Sequence, residues 1–161
     1  MRKQDRLPAL IQTLTQGEKK YFSQQCNAQG SNKSYVKLYE TLLENPDYDT
    51  GELCDLLGKD KAGLANEKKY LEKKLLETLR EYHHEHPQVK TLNQIAETVL
   101  LMERNQPEMA MGRIRLAIQN ATTANFIPLA WHANSLMLTL CSEPFMSYTE
   151  AKETTTQQLH I

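Results

Sequence analysis

The side chains best suited to bind a metal ion lie in one short run, His83-His84-Glu85-His86. His83 and His86 are three residues apart, so on a helix their imidazoles would share a face, as zinc ligands can. The run stands directly before Pro87, where the preceding helix is expected to end. Protonated imidazoles there would complement the negative end of the helix dipole. Because no further ligand lies nearby in the sequence, we interpret the run as helix-end surface residues and expect no metal.

Residues that can act as nucleophiles or bases lack the neighbours that catalysis needs. The three cysteines are odd in number, widely spaced and outside any C-x-x-C pattern, which indicates reduced thiols of a cytoplasmic protein. His132 follows Trp131 in an apolar segment, so we expect a packed side chain and not a general base. The glycines are dispersed and form no phosphate-binding loop. We therefore predict a protein that is not an enzyme and holds no cofactor.

Composition and charge disfavour several classes of protein. Charged residues make up 24% of the chain and apolar residues 40%, which is typical of a folded globular protein and not of a disordered or membrane-spanning one. The net charge is −1, and neither half has the basic excess of a nucleic-acid binder. The apolar run Leu7–Ile11 is too short for a signal peptide. We expect a cytoplasmic protein without a membrane partner.

An apolar period near 3.6 residues recurs along almost the whole chain and predicts an all-α fold. Capping boxes at Thr15–Glu18, Asp49–Glu52 and Ser147–Glu150 indicate three helix starts, and Gly58 indicates a helix end. The predicted helices cover residues 2–14, a segment after Thr15, 33–44, 52–57, 60–84, 89–104, 107–124, 127–141 and a last segment towards Leu159.

These helices fall into two regions. The pattern over residues 1–86 predicts an irregular N-terminal helical bundle. The pattern over residues 87–161 predicts two antiparallel helix pairs resembling tetratricopeptide-like repeats, and we expect the two regions to share one core. Small residues Ala110 and Ala117 suit the place where paired helices approach. Asn105 tolerates a left-handed turn, and Pro107 suits the first turn of the next helix. Two plain amphipathic hairpins of a bundle would give the same pattern, so both interpretations remain open.

Four segments resemble the opening of a bacterial family of long all-helical proteins. They are Thr15-Gln-Gly-Glu-Lys-Lys-Tyr-Phe22, Ser34-Tyr-Val-Lys-Leu-Tyr-Glu40, Tyr48-Asp-Thr-Gly-Glu-Leu53 and the stretch from Leu71 to His83. The resemblance runs over most of residues 5–130 and implies tetratricopeptide-like repeats after a helical N-terminal region. Its motifs are aliphatic, aromatic and basic positions. The family has no assigned activity, so the resemblance implies no functional residue.

Two functions are compatible with this sequence. The first is a non-enzymatic scaffold that binds a protein or peptide through Met102, Met109, Met111, Trp131 and His132, because methionine and aromatic side chains suit adaptable binding surfaces. A homodimer through the last helix would accompany it. The alternative is a helix-turn-helix DNA-binding regulator that uses residues 50–80, with Lys61, Lys68 and Lys69 facing phosphate. Acidic residues balance the basic ones along that segment, which disfavours the nucleic-acid partner.

Overall fold

The computed structural model describes residues 6–28 and 33–141, and in these ranges the regular secondary structure consists of eight α-helices. This confirms the predicted all-α fold class. The chain divides into two compact units, Met1–His83 and His84–Ile161, with the division three residues before the predicted boundary. A single shared core was expected from the sequence. The buried apolar residues of the described ranges form two clusters, one in each unit.

The N-terminal unit contains five helices whose ends follow the sequence signals. In the Thr15–Glu18 capping box, Glu18 Oε2 accepts a hydrogen bond from the Thr15 backbone N at 2.6 Å, and Thr15 Oγ1 accepts from the Glu18 backbone N at 3.3 Å. Asp49 and Asp60 accept from backbone amides in the first turns of the fourth and fifth helices. Gly58, with φ of 61°, ends the fourth helix in the left-handed conformation. The helices are α1 Arg6–Thr13, α2 Gln16–Ala28, α3 Ser34–Glu44, α4 Thr50–Leu57 and α5 Lys61–Tyr82.

The long helix α5 organises the core of the N-terminal unit. It packs against α2, α3 and α4, and α1 packs against α3. Its buried residues Leu64, Leu71 and Leu75 are seven and four positions apart, so they lie on one side of the helix. Large aliphatic and aromatic side chains fill this core, and each buried leucine contributes about 1.5–3 kcal/mol relative to an exposed one. The other buried members include Ile11, Phe22, Cys26, Tyr35, Val36, Leu38, Tyr39, Leu42 and Leu53.

The described part of the C-terminal unit consists of three helices in sequence, α6 Pro87–Glu103, α7 Pro107–Thr123 and α8 Ile127–Leu140. Links of three residues join them, which is typical of antiparallel neighbours. The middle helix α7 packs against both α6 and α8. Pro87 was predicted to end α5, but α5 ends earlier, at Tyr82. Pro87 instead begins α6 at the first helical position, where its missing amide hydrogen costs no hydrogen bond.

The two links share one backbone geometry. Asn105 has φ of 54° and Asn125 has φ of 56°, so both lie in the left-handed region that asparagine tolerates. In each link the amide after the asparagine donates to a carbonyl five residues earlier, at 2.9 Å after Asn105 and 2.8 Å after Asn125. A helix with proline in its first turn follows each link. The sequence signal identified the turn at Asn105, and the turn at Asn125 carries the same signal 20 residues later.

Alanines occupy the centre of the C-terminal unit. Ala110, Ala117 and Ala121 on α7 and Ala133 on α8 are fully buried, and Ile95, Ile114 and Leu140 are the larger apolar residues buried in the same unit. Ala110 and Ala117, which were predicted to lie where paired helices approach, are thus buried in the core of this unit. No helix of the described ranges is long and apolar enough to cross a membrane. The helix predicted to follow Ser147, and the dimer contact assigned to it, lie outside the described residues.

Candidate functional site

The histidine run lies between the end of α5 and the start of α6. His83 follows the last residue of α5, and its Nε2 lies 2.7 Å from Glu18 Oε1 in the same unit. His86 precedes α6, and its side chain makes no capping hydrogen bond. Across residues 6–28 and 33–141 no group of three or more histidine, cysteine or acidic side chains could hold a metal ion. His83 therefore makes a contact that joins two helices of the N-terminal unit.

The Glu18 carboxylate joins the start of α2 to the end of α5. It accepts from the Thr15 backbone and hydroxyl, and His83 contacts its other oxygen. The hydrogen bond with His83 and those from Thr15 hold the pKa of Glu18 below its ordinary value. The capping box between Thr15 and Glu18 was predicted from a sequence of four residues. The contact with His83 spans 65 positions and has no local sequence signal.

In residues 50–80, the segment predicted as a helix-turn-helix, several lysines contact other side chains of the N-terminal unit. Lys59 pairs with Glu67, which also accepts a hydrogen bond from Ser34 at 2.8 Å. Burial raises the pKa of Glu67, but the hydrogen bonds from Lys59 and Ser34 outweigh burial and hold it below the ordinary value. Lys68, predicted to face phosphate, lies over the Tyr48 ring at 4.3 Å from its centroid and donates to the Tyr48 hydroxyl.

The outer side of α5 also mixes charges of both signs. Lys74 Nζ lies 2.9 Å from Glu77 Oε2. An open depression on this side is lined by cations and carboxylates together: Lys69, Glu72, Lys73, Leu76, Glu77 and Arg80. A phosphate backbone favours a basic surface without carboxylates, so this arrangement counts against the DNA-binding alternative.

The buried thiol of the N-terminal unit is arranged for packing. Cys26 is buried beside Tyr35 and Tyr39, and burial raises the pKa of its thiol above the ordinary value, although the hydrogen bond with Tyr35 opposes the rise. A thiol in this state carries little thiolate and is a poor nucleophile. The Tyr39 hydroxyl is buried without a hydrogen-bond partner, and burial raises the pKa of Tyr39 to about 12. None of these groups has the activating neighbour of a catalytic nucleophile.

The five residues predicted to contact a partner do not share one surface. Met102 and Met111 are half-buried and pack against the core of the C-terminal unit. Met109 on α7 and Trp131 on α8 are exposed, with relative exposures of 60% and 72%. His132 is also exposed. The expectation that His132 is a packed core side chain is therefore wrong, because Ala133 and not His132 is turned towards α7.

Large exposed apolar side chains are concentrated in the C-terminal unit. The described ranges contain twelve of them, and eight lie on α6, α7 and α8. We call this set the C-terminal apolar surface: Leu92, Val99, Leu100, Met109, Leu116, Ile127, Trp131 and Leu138. The sequence analysis identified Met109 and Trp131. It missed the other six because an apolar residue in a helix is normally assigned to the core.

Comparison with known proteins adds no relative to this picture. No protein-family model, no curated protein sequence and no solved structure matches the chain. The function is therefore inferred from the residues and the geometry described above.

Proposed function

We propose that the protein is a non-enzymatic cytoplasmic scaffold that binds another protein or a peptide through the C-terminal apolar surface. The observation that carries this proposal is the number of large apolar side chains exposed in the C-terminal unit. Ile95, Ile114 and Leu140 are buried with the alanines in its core, while eight leucine, valine, isoleucine, methionine and tryptophan side chains face solvent. A concentration of exposed apolar side chains is typical of protein interaction sites.

The chemistry of this surface fits a protein partner. Burying one large aliphatic or aromatic side chain on association contributes about 1.5–3 kcal/mol. Trp131 is of the residue type that most often dominates binding energies, and Met109 is flexible enough to adapt to different contacts.

The repeat interpretation belongs to the same proposal. The recurring asparagine turn, the alanines between helices and the helix lengths support hairpins of the tetratricopeptide-like kind, as the resemblance to the bacterial family implies. Proteins built from such hairpins present the surfaces of successive helices to their partners.

A capture experiment with matched variants tests the proposal. The immobilised full chain is compared with Leu100→Lys on α6 and Leu56→Lys on α4, two exposed leucines with relative exposures of 53% and 56%. Leucine and lysine have similar helix propensities, so both variants should keep their helices. Captured proteins are then purified, and their affinity for each form of the chain is measured directly.

We expect a purified partner to bind the unmodified chain and Leu56→Lys equally. Leu100→Lys should weaken that binding at least about tenfold, which corresponds to roughly 1.4 kcal/mol. The proposal fails if no captured protein binds in the purified assay, or if every bound partner tolerates Leu100→Lys.

A further inference from the structure

A glycine lies in the interior of α7, on the side turned away from the core. Gly112 is exposed, and because a helix turns about 100° per residue it lies roughly opposite the buried Ala110, Ile114 and Ala117. Apart from proline, glycine is the least favourable residue in a helix interior. Its presence inside a helix of 17 residues therefore calls for a reason.

The other glycines of the described ranges have such a reason within the chain. A Cβ at Gly17 would lie 2.5 Å from the hydroxyl oxygen of Tyr82. Gly58 has a left-handed backbone, with φ of 61°. Gly51 and Gly63 lie in the first turns of their helices, where a Cβ would come within 2.9 Å of the carboxylate that caps the helix. In each case a larger residue would disturb the chain's own structure.

The described part of the chain gives no comparable reason for Gly112. Its backbone is not left-handed. A Cβ there would meet no other atom of the described residues within 4 Å. The space over Gly112 is therefore open on the outside of the unit. A missing side chain at such a place allows the backbone of another molecule to approach closely.

Exposed apolar and charged side chains lie on the two flanks of this open space. Met109 and Leu116 are 60% and 44% exposed and lie about 40–60° around the helix from Gly112 on one flank. The exposed residues Glu108 and Arg115 lie about 40–60° from it on the other flank. We call Met109, Gly112 and Leu116 the α7 outer face. It combines a gap, an apolar edge and one charge of each sign.

We propose that a helix of the partner protein crosses α7 at the α7 outer face, with its backbone close to Gly112. This inference rests on the proposed scaffold function. It names the part of the C-terminal apolar surface that is used and the kind of segment that binds there. Packed helices place the side chains of one in the grooves of the other, and a glycine at the crossing lets the two backbones come close.

The chemistry of the α7 outer face defines the helix that fits. Its apolar stripe packs on Met109 and Leu116, and beside that stripe a basic side chain faces Glu108 and an acidic one faces Arg115. An extended strand is a poorer match, because it gains affinity from hydrogen bonds to a sheet edge, which α7 does not offer. The partner segment is therefore an amphipathic helix with charges of both signs.

Peptide display on the immobilised full chain tests the proposal. One library contains amphipathic helical peptides, and a second carries a central proline in every peptide, which breaks the helix. Gly112→Leu fills the gap on α7, and the control Ala65→Leu enlarges an exposed small residue of α5. Leucine favours a helix more than glycine does, so Gly112→Leu should raise the urea midpoint of unfolding. Loss of binding in that variant would then not result from unfolding.

We expect binders from the helical library alone. Gly112→Leu should weaken their binding at least about tenfold, and Ala65→Leu should leave it unchanged. The backbone amide signal of Gly112 should shift in NMR spectra when a selected peptide is added. The inference is wrong if no peptide is enriched, if both libraries are enriched equally, or if the binders tolerate Gly112→Leu.

The same variants separate this inference from the proposed function. A captured partner that loses affinity for Leu100→Lys but tolerates Gly112→Leu refutes the crossing at α7 and leaves the scaffold function intact. If no captured protein binds in the purified assay but selected helices require Gly112, the scaffold function fails although the face binds a helix.

Discussion

Replacement of Ala117 by leucine tests whether the alanines of α7 set the distance between helices. Ala117 is fully buried, and Ala110, Ile114 and Ala121 on the same face are buried completely as well. Leucine adds three carbon atoms at a place where α7 meets its neighbours. Alanine and leucine have similar helix propensities, so the change acts through packing and not through the backbone.

Two opposing effects decide the sign of the change in stability. If the neighbouring helices could move apart without loss, burying three carbons at about 0.8 kcal/mol each would stabilise the unit by roughly 2 kcal/mol. If the helices hold their positions, overpacking costs about 1–3 kcal/mol. The complete burial of all four residues on this face favours the second outcome. We therefore expect Ala117→Leu to lower the free energy of unfolding by about 1–3 kcal/mol.

Urea unfolding measures the total effect, and hydrogen exchange with mass spectrometry locates it. Amides of α6, α7 and α8 should lose protection. Gln119→Leu, on the exposed side of α7, adds apolar atoms without entering the core and should change stability by less than about 0.5 kcal/mol. An equal or higher stability of Ala117→Leu would show that the helices are not held at this distance, and the packing argument would be wrong.

Two further substitutions probe polar groups of the N-terminal unit. Tyr39→Phe removes a buried hydroxyl without a partner, so urea unfolding should show a stability that is unchanged or higher by up to about 1 kcal/mol; a clear loss would reveal a hydrogen bond. Glu18→Gln keeps the capping geometry but removes the charge near His83, and should cost about 0.5–1.5 kcal/mol at pH 7. Because the folded-state pKa of Glu18 is lowered, its contribution is present above the unfolded-state pKa and is lost as the pH falls through the folded-state value. Stability curves of the two proteins should therefore converge in acid, and a constant difference would contradict this assignment.

Local signals predicted the helices well because they act within a few residues. The Thr15–Glu18 box, the Asp60 cap and the Gly58 end each depend on backbone groups within one helical turn. The predicted end at Asn105 depends in the same way on the left-handed backbone. Element ends therefore agree with prediction to within two residues in most cases.

Contacts between distant residues left no comparable signal. The pairing of Glu18 with His83 and the position of Lys68 over Tyr48 depend on how helices pack. For the same reason the sequence analysis assigned the methionines of the C-terminal unit to one binding surface. In the structure, Met102 packs towards the core and Met109 faces solvent. Helical spacing tells which residues share a face, but not which face meets a neighbour when both are apolar.

The contrast between the two units connects stability with binding. The N-terminal unit buries leucine, phenylalanine and tyrosine, whereas the C-terminal unit buries four alanines beside Ile95, Ile114 and Leu140 and exposes eight of its large apolar side chains. Alanine contributes little hydrophobic stabilisation, so the C-terminal unit gains less from its own core than its apolar content would allow. A bound protein that covers the exposed side chains adds burial to the folded state alone, and by linkage it raises stability with its concentration. Association should therefore be coupled to the folding of α6, α7 and α8. The side chains that are buried on association also contribute to the stability of the folded unit.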